Sequence, residues 1–188
     1  MKAWVQRVTE ASVTIDGENA REFIFLNHPK AFVHGMRFWR GLTSGNAGSA
    51  DGAPDYSRSP FELCQGVASN CVFESTKGRA AALSAWNVGI LQDSLLISCQ
   101  NGDGNGAIAA QGGGMRLFQS AICRGCTFTN CTAVRGGALA IKGGTVENCT
   151  FVGNKASGEY GGGVYQDDGT LRGALIVGNT ACYPVMPA

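Results

Sequence analysis

No stretch of this sequence stays apolar for the ~18 residues that a membrane helix needs, and its start, MKAWVQRVTEASVTIDG, lacks an apolar run ending in a small-residue cleavage site. No signal peptide is therefore legible in these residues. Charge is also scarce. Asp, Glu, Lys and Arg make up 15% of the chain, and 15 basic against 14 acidic residues leave a net charge of +1. Neither a nucleic-acid surface nor an acidic tail is encoded, so no nucleic-acid partner and no membrane-spanning segment are expected. Five prolines and no G-X-Y period exclude collagen. Two histidines, His28 and His34, leave little for metal or general-base chemistry, and the nucleophile elbow of a Ser-His-Asp hydrolase is missing.

What the chain has instead is glycine, 28 residues of 188, set between short apolar runs. Two classes of run alternate. The first is SVTIDG, GMRFWRG, NCVFEST, SLLISCQ, CTFTNC, CTFVGN and ALIVGN, centred on Ile15, Phe38, Phe73, Leu96, Phe128, Phe151 and Ile176. The second is EFIFLN, SPFELCQ, AALSAW, AIAAQ, GALAIK and GGVYQD, centred on Phe25, Phe61, Leu83, Ile108, Leu139 and Val164. Successive centres lie 10 to 13 residues apart except at two places, Phe38 to Phe61 and Ile108 to Phe128. Those places mark insertions near 41–57 and 112–122. A third short segment (AFVH, GVAS, VGILQ, TVEN, TLRG) fits most remaining gaps.

One cycle is about 23 residues with three short strands, the arithmetic of stacked coils ~4.8 Å apart. The expected fold is all-β: a right-handed parallel β-helix (solenoid) of about seven coils, three short strands per coil, in a single domain over 1–188. Alternation points Val13 and Ile15, Cys71 and Phe73, Cys126 and Phe128, Cys149 and Phe151, and Ala174 and Ile176 into a shared core. GG before ALAI and GGG before VYQ suit the sharp turns into the second class, where positive φ is needed.

The paired elements GGALAI…FVGN and GGGVY…IVGN resemble the GG-A-[IL] and F-x-x-N repeats of polymorphic outer-membrane proteins, and more broadly the pectin-lyase-like parallel β-helix proteins. The resemblance implies export or surface display, adhesion, and contact with polysaccharide or a host or cell-surface glycan. It brings no catalytic residue. A second resemblance covers residues 1–18, which are similar to the start of D-aminoacyl-tRNA deacylases. However, Cys99 interrupts the LLISCQ segment, no Gly-Pro motif follows, and SVTIDG fits the coil period.

Several residues were weighed for chemistry. CRGC (123–126) with Cys131 and Cys149 has part of a zinc spacing, but the second pair is too far apart. The cysteines fit ladders of small apolar side chains better, with Cys99 and Cys131 the pair placed for oxidation. Asn154 and Asn179 share a position with those two and predict an amide ladder. NGDGNG (101–106) partly matches a calcium loop without its leading Asp or closing Glu. AQGGGM lacks the context of a phosphate cradle.

Asp167, Asp168 and Arg172 are the residues a polysaccharide lyase or glycoside hydrolase on this scaffold would use, yet no second acidic pair matches them. Trp39, Trp86 and Tyr165 are candidate sugar platforms. The expected function is a non-enzymatic, extracellular or surface-displayed module; the alternative is the lyase or hydrolase. Catalytic, cofactor and metal residues are assigned to none. Exposed solenoid ends predict either a longer parent chain or end-to-end self-association.

Overall fold

The computed structural model describes residues 13–19, 23–42, 59–78, 81–101, 111–158 and 160–182. Among them every regular element is a strand, and the strands form three parallel sheets. The first sheet runs, in spatial order, Val13–Asp16, Met36–Trp39, Val72–Glu74, Leu95–Ile97, Thr127–Thr129, Thr150–Val152 and Leu175–Val177. The second holds Ile24–His34, Phe61–Ser69, Leu83–Ala85, Met115–Arg124, Leu139–Glu147 and Val164–Arg172, with Ile90–Gln92 between Phe61–Ser69 and Met115–Arg124. The third is built from the two-residue strands Lys77–Gly78, Gln100–Asn101, Thr132–Ala133, Lys155–Ala156 and Thr180–Ala181. Spatial order follows chain order in all three, an arrangement compatible with a solenoid. No helix among the described residues is long and apolar enough to cross a membrane.

The seven centres of the first class form one register column: Ile15, Phe38, Phe73, Leu96, Phe128, Phe151 and Ile176 are successive partners. Phe38 lies on Phe73 and Phe128 on Phe151 with ring centroids 5.0 Å apart in both cases. The six strands after the first are each bracketed by left-handed residues. Gly35, Asn70, Asp93, Gly125, Asn148 and Gly173 stand three before the centre, all with φ between 48° and 66°. Arg40, Ser75, Ser98, Asn130, Gly153 and Gly178 stand two after it, with φ between 50° and 64°. Two tight corners thus limit each strand to about three residues, and the corner N–H groups bond the next layer, as Asn148 N–H does to Arg172 O at 3.0 Å.

The second class is corrected at two positions. The column there is Ile24, Phe61, Leu83, Met115, Leu139 and Val164. Phe25 therefore points outward, 58% exposed, and Ile24 takes the inward place. Ile108 lies outside the described residues, and Met115 fills its assigned role. Residues 112–122, expected as an insertion, are the Gly112–Gly114 corner and most of the in-register strand Met115–Arg124. The third segments also belong elsewhere. AFVH, GVAS, ILQ, TVE and TLR lie in the second sheet beyond a register shift, while the third sheet comes from the residues just after each first-class strand.

Close approach dictates glycine at the corners into the second sheet. Gly136 has φ 59°, and a Cβ on Gly137 would sit 2.3 Å from Gly162 O. Burial fades at the ends of the stack. Phe38, Phe73, Leu96, Phe128 and Phe151 are fully buried, but Val13 is 48% and Ile176 50% exposed, because no strand pairs beyond theirs among the described residues. Phe151→Ala should thus cost about 3–5 kcal/mol in urea unfolding, whereas Ile176→Ala, one layer on, should cost less than ~1 kcal/mol because only half of its side chain is removed from water. Equal losses would mean that the two do not occupy an inner and an end layer.

Candidate functional site

The inner turn after each first-class strand is occupied by structural polar groups. Cys99, Cys131, Asn154 and Asn179 precede register partners in the third sheet and so share one column. Asn154 Nδ2 donates to Asn179 Oδ1 at 2.8 Å and to Phe128 O at 3.0 Å, and its own Oδ1 accepts from Cys131 N–H at 2.9 Å. Asn179 Nδ2 donates to Phe151 O at 2.8 Å. This is the expected amide ladder, and it satisfies backbone groups that burial would otherwise strand. Cys99 and Cys131 continue the column with thiols directed at Phe73 O and Leu96 O, at 3.4 and 3.5 Å.

Seven of the eight cysteines are buried and all are free thiols, Cys182 being the exposed one. Burial pushes the Cys71 and Cys99 thiols up, so both are neutral packing groups. Of the four cysteines of the zinc spacing, Cys123, Cys126 and Cys149 lie near one another before the first-class strands, whereas Cys131 stands apart, after one. Among the described residues no group of three His, Cys, Asp or Glu side chains is arranged to hold a metal ion. Residues 102–106 of NGDGNG and 43–57 of the first insertion lie outside the described residues.

The other candidates are dispersed. Arg40 bonds Asp16 and lays its guanidinium 4.1 Å from the Trp39 ring centroid, while Arg37 pairs with Glu74. Trp86 lies 6.1 Å from the Phe25 ring, and Phe32 stacks on His34. His28 Nδ1 accepts from Lys30 N–H at 3.1 Å, a turn contact. Gly113 of AQGGGM donates its N–H to Gly137 O at 3.0 Å, a bond between layers. Asp168 Oδ1 accepts from Gly169 N–H at 2.7 Å, and Arg172 pairs with Glu147. No pair of unengaged carboxylates is formed by Asp167, Asp168 and their neighbours.

One group of side chains does converge, around Tyr165. Arg135 and Tyr160 stand immediately before the glycine corners of two successive layers, where Gly136 N–H donates to Tyr160 O at 3.2 Å. Lys142, Tyr165 and Asp167 come from the two second-sheet strands that follow. The Arg135 guanidinium carbon lies 5.1 Å from the Tyr160 ring centroid and 5.8 Å from that of Tyr165. Lys142 Nζ is 5.3 Å from the Tyr165 ring and pairs with Asp167. Tyr165 Oη donates to Asp167 Oδ1 at 2.9 Å. Tyr160 is 50% exposed, so the cluster opens to solvent. Among the described residues Arg135 has no carboxylate in ion-pair range.

The hydrogen bonds from Lys142 and Tyr165 hold the Asp167 carboxyl below its ordinary 3.8. It is ionised at neutral pH and unsuited to donate a proton. One exposed and one half-buried ring flanking a guanidinium, with an ammonium alongside, offer a flat apolar platform and donors for an anion. Of these residues Tyr165 and Asp167 were legible beforehand. Arg135, Lys142 and Tyr160 were not singled out, although Arg135 and Tyr160 both directly precede a GG run. No family profile, curated protein or solved structure matches this chain.

A depressed folded-state pKa contributes stability that is present above the unfolded value and lost as pH falls through the folded one. In an NMR titration the Asp167 carboxyl should therefore have its midpoint below 3.8, and Lys142→Met should move that midpoint upward. An unchanged midpoint in the variant would dissolve the pair.

Proposed function

We propose that this chain is a non-enzymatic, extracellular or surface-displayed contact module, built as one right-handed parallel β-helix of about seven coils, that binds acidic glycans at the Arg135–Tyr160–Tyr165–Lys142 cluster. The single-helix reading is supported by the shared chain order of the three sheets and by the recurrence of first-sheet partners 23 to 35 residues apart. It agrees with the likeness to pectin-lyase-like and polymorphic outer-membrane repeats. The function rests chiefly on Arg135: a guanidinium between two tyrosines that forms no ion pair among the described residues, Asp167 sensing its charge only from a distance, is a receptor for a carboxylate or sulfate. The rings would stack on the sugar face while Arg135 takes the anion in bidentate fashion, with Lys142 adding charge. Asp167 positions Lys142 and Tyr165 instead of reacting, which favours binding over cleavage.

A glycan array with and without calcium, run beside a lyase and hydrolase assay on acidic polysaccharides, tests this. Binding to uronate-bearing or sulfated glycans is expected, without turnover, weakened by salt and at least tenfold weaker in Arg135→Ala, about 1.4 kcal/mol or more. Cleavage of any polysaccharide, or binding confined to neutral glycans and indifferent to Arg135→Ala, would overturn the reading.

The Leu175–Val177 edge supports a second property, end-to-end self-association. Its three side chains are 49–56% exposed and no strand covers it among the described residues. Light scattering should show mass rising with concentration, and Ile176→Lys should abolish the rise. A concentration-independent monomer would refute it.

A further inference from the structure

Three thiols meet at one corner of the core. Cys123 lies near the end of the strand Met115–Arg124, and Cys126 follows it across the Arg124–Gly125 corner. Cys149 takes the place of Cys126 one layer on, where Thr150 N–H donates to Cys126 O at 2.9 Å. Cys123 Sγ lies 3.8 Å from Cys149 Sγ, and none of the three residues is more than 1% exposed.

Packing alone does not require sulfur at this corner. The register partners of Cys123 are Leu91 and Val146, continued by Ala68 and Leu171. The places equivalent to Cys149 in other layers are taken by Val13, Met36, Cys71, Ser94, Cys126 and Ala174, each two before a column centre. Side chains without a thiol therefore satisfy the Cys123 position in every other layer of its column and the Cys149 position in four of the six others. Cys123 pairs with Val146 and Cys126 is followed by Cys149, so the Cys123–Cys149 contact runs diagonally between two layers. The two sulfurs already touch.

We propose that Cys123 and Cys149 are a disulfide site that staples two successive layers, formed by exchange with a small-molecule disulfide, with Cys126 left as a thiol. One cysteine thiolate attacks the small disulfide, forming a mixed disulfide and releasing one small thiol. The second cysteine thiolate then attacks the protein sulfur of that mixed disulfide, closing the Cys123–Cys149 bond and expelling the second small thiol. Two protons leave the cysteines and are taken up by the two released thiols, and two electrons pass to the small-molecule disulfide. Burial of all three thiols places the exchange during folding, before the two layers close. Cys126 and Cys149 each also face a carbonyl two residues back, Arg124 O and Glu147 O, both at 3.3 Å, so the 3.8 Å contact between Cys123 and Cys149 sulfurs is what selects the pair. The proposal is independent of glycan binding.

Refolding the full chain from denaturant in glutathione redox buffer, against a parallel sample in excess dithiol, tests it. Alkylation and tryptic mass mapping separate the three thiols into peptides 117–124, 125–135 and 143–155. The oxidised sample should show 117–124 joined to 143–155, with both cysteines of 125–135 alkylated, and its urea midpoint should exceed that of the dithiol sample. Cys123→Val and Cys149→Ala, which copy residues used in neighbouring layers, should lose the link and the midpoint difference; Cys126→Ala should keep both. Full alkylation of Cys123 and Cys149 after oxidation, a link from either to 125–135, or a link without a midpoint shift would each overturn the proposal.

Discussion

Parallel hydrogen bonding between one period of the chain and the next is the constraint from which the remaining features follow. In the first sheet it places residue over residue at separations of 23 to 35 in sequence, so equivalent positions of successive periods lie above one another. A phenylalanine then finds a phenylalanine, an asparagine finds the amide of its copy, and Cys126 is followed by Cys149. No single layer has an inside. The buried column exists only because neighbours cover one another, and for that reason Ile176, which has a neighbour on one side only, remains half exposed while Phe151 is fully buried.

Repetition also decides where chemistry can gather. The carboxylates of Asp16, Glu74, Glu147 and Asp167 are each held by an Arg or Lys of an adjoining layer. That arrangement ties layers together along the outer faces. The Arg135 cluster differs because its cation faces two rings instead of a carboxylate, and the rings come from a corner and from a strand. That difference is the basis of the proposed binding role.

Much of this was legible in the sequence, and the failures have physical causes. The first column was read correctly because its strands are short and most are closed on both sides by corner residues, which fix the centre even in the all-apolar LLI and LIV. In EFIFLN, apolar residues stand at both parities, so alternation alone could not choose Ile24 over Phe25. AIAAQ imitated a strand in composition. The rule already seen at GGALAI and GGGVY, glycines immediately before the strand, points to Met115 after Gly112–Gly114, the residue the register selects. The third sheet had no pattern to read, since strands such as Lys77–Gly78 and Gln100–Asn101 are two residues long and not apolar. The binding cluster was only partly visible because Arg135 and Tyr160 become neighbours through the register, 25 residues apart in the chain.

Like-above-like stacking is tested most directly by nuclear Overhauser contacts in the isotope-labelled protein. The account predicts ring contacts linking Phe38 to Phe73 and Phe128 to Phe151, together with the amide-to-Hα pattern of parallel strands across each pair. Close Hα–Hα contacts between those strands, the mark of antiparallel pairing, or the absence of any contact between Phe128 and Phe151, would contradict it.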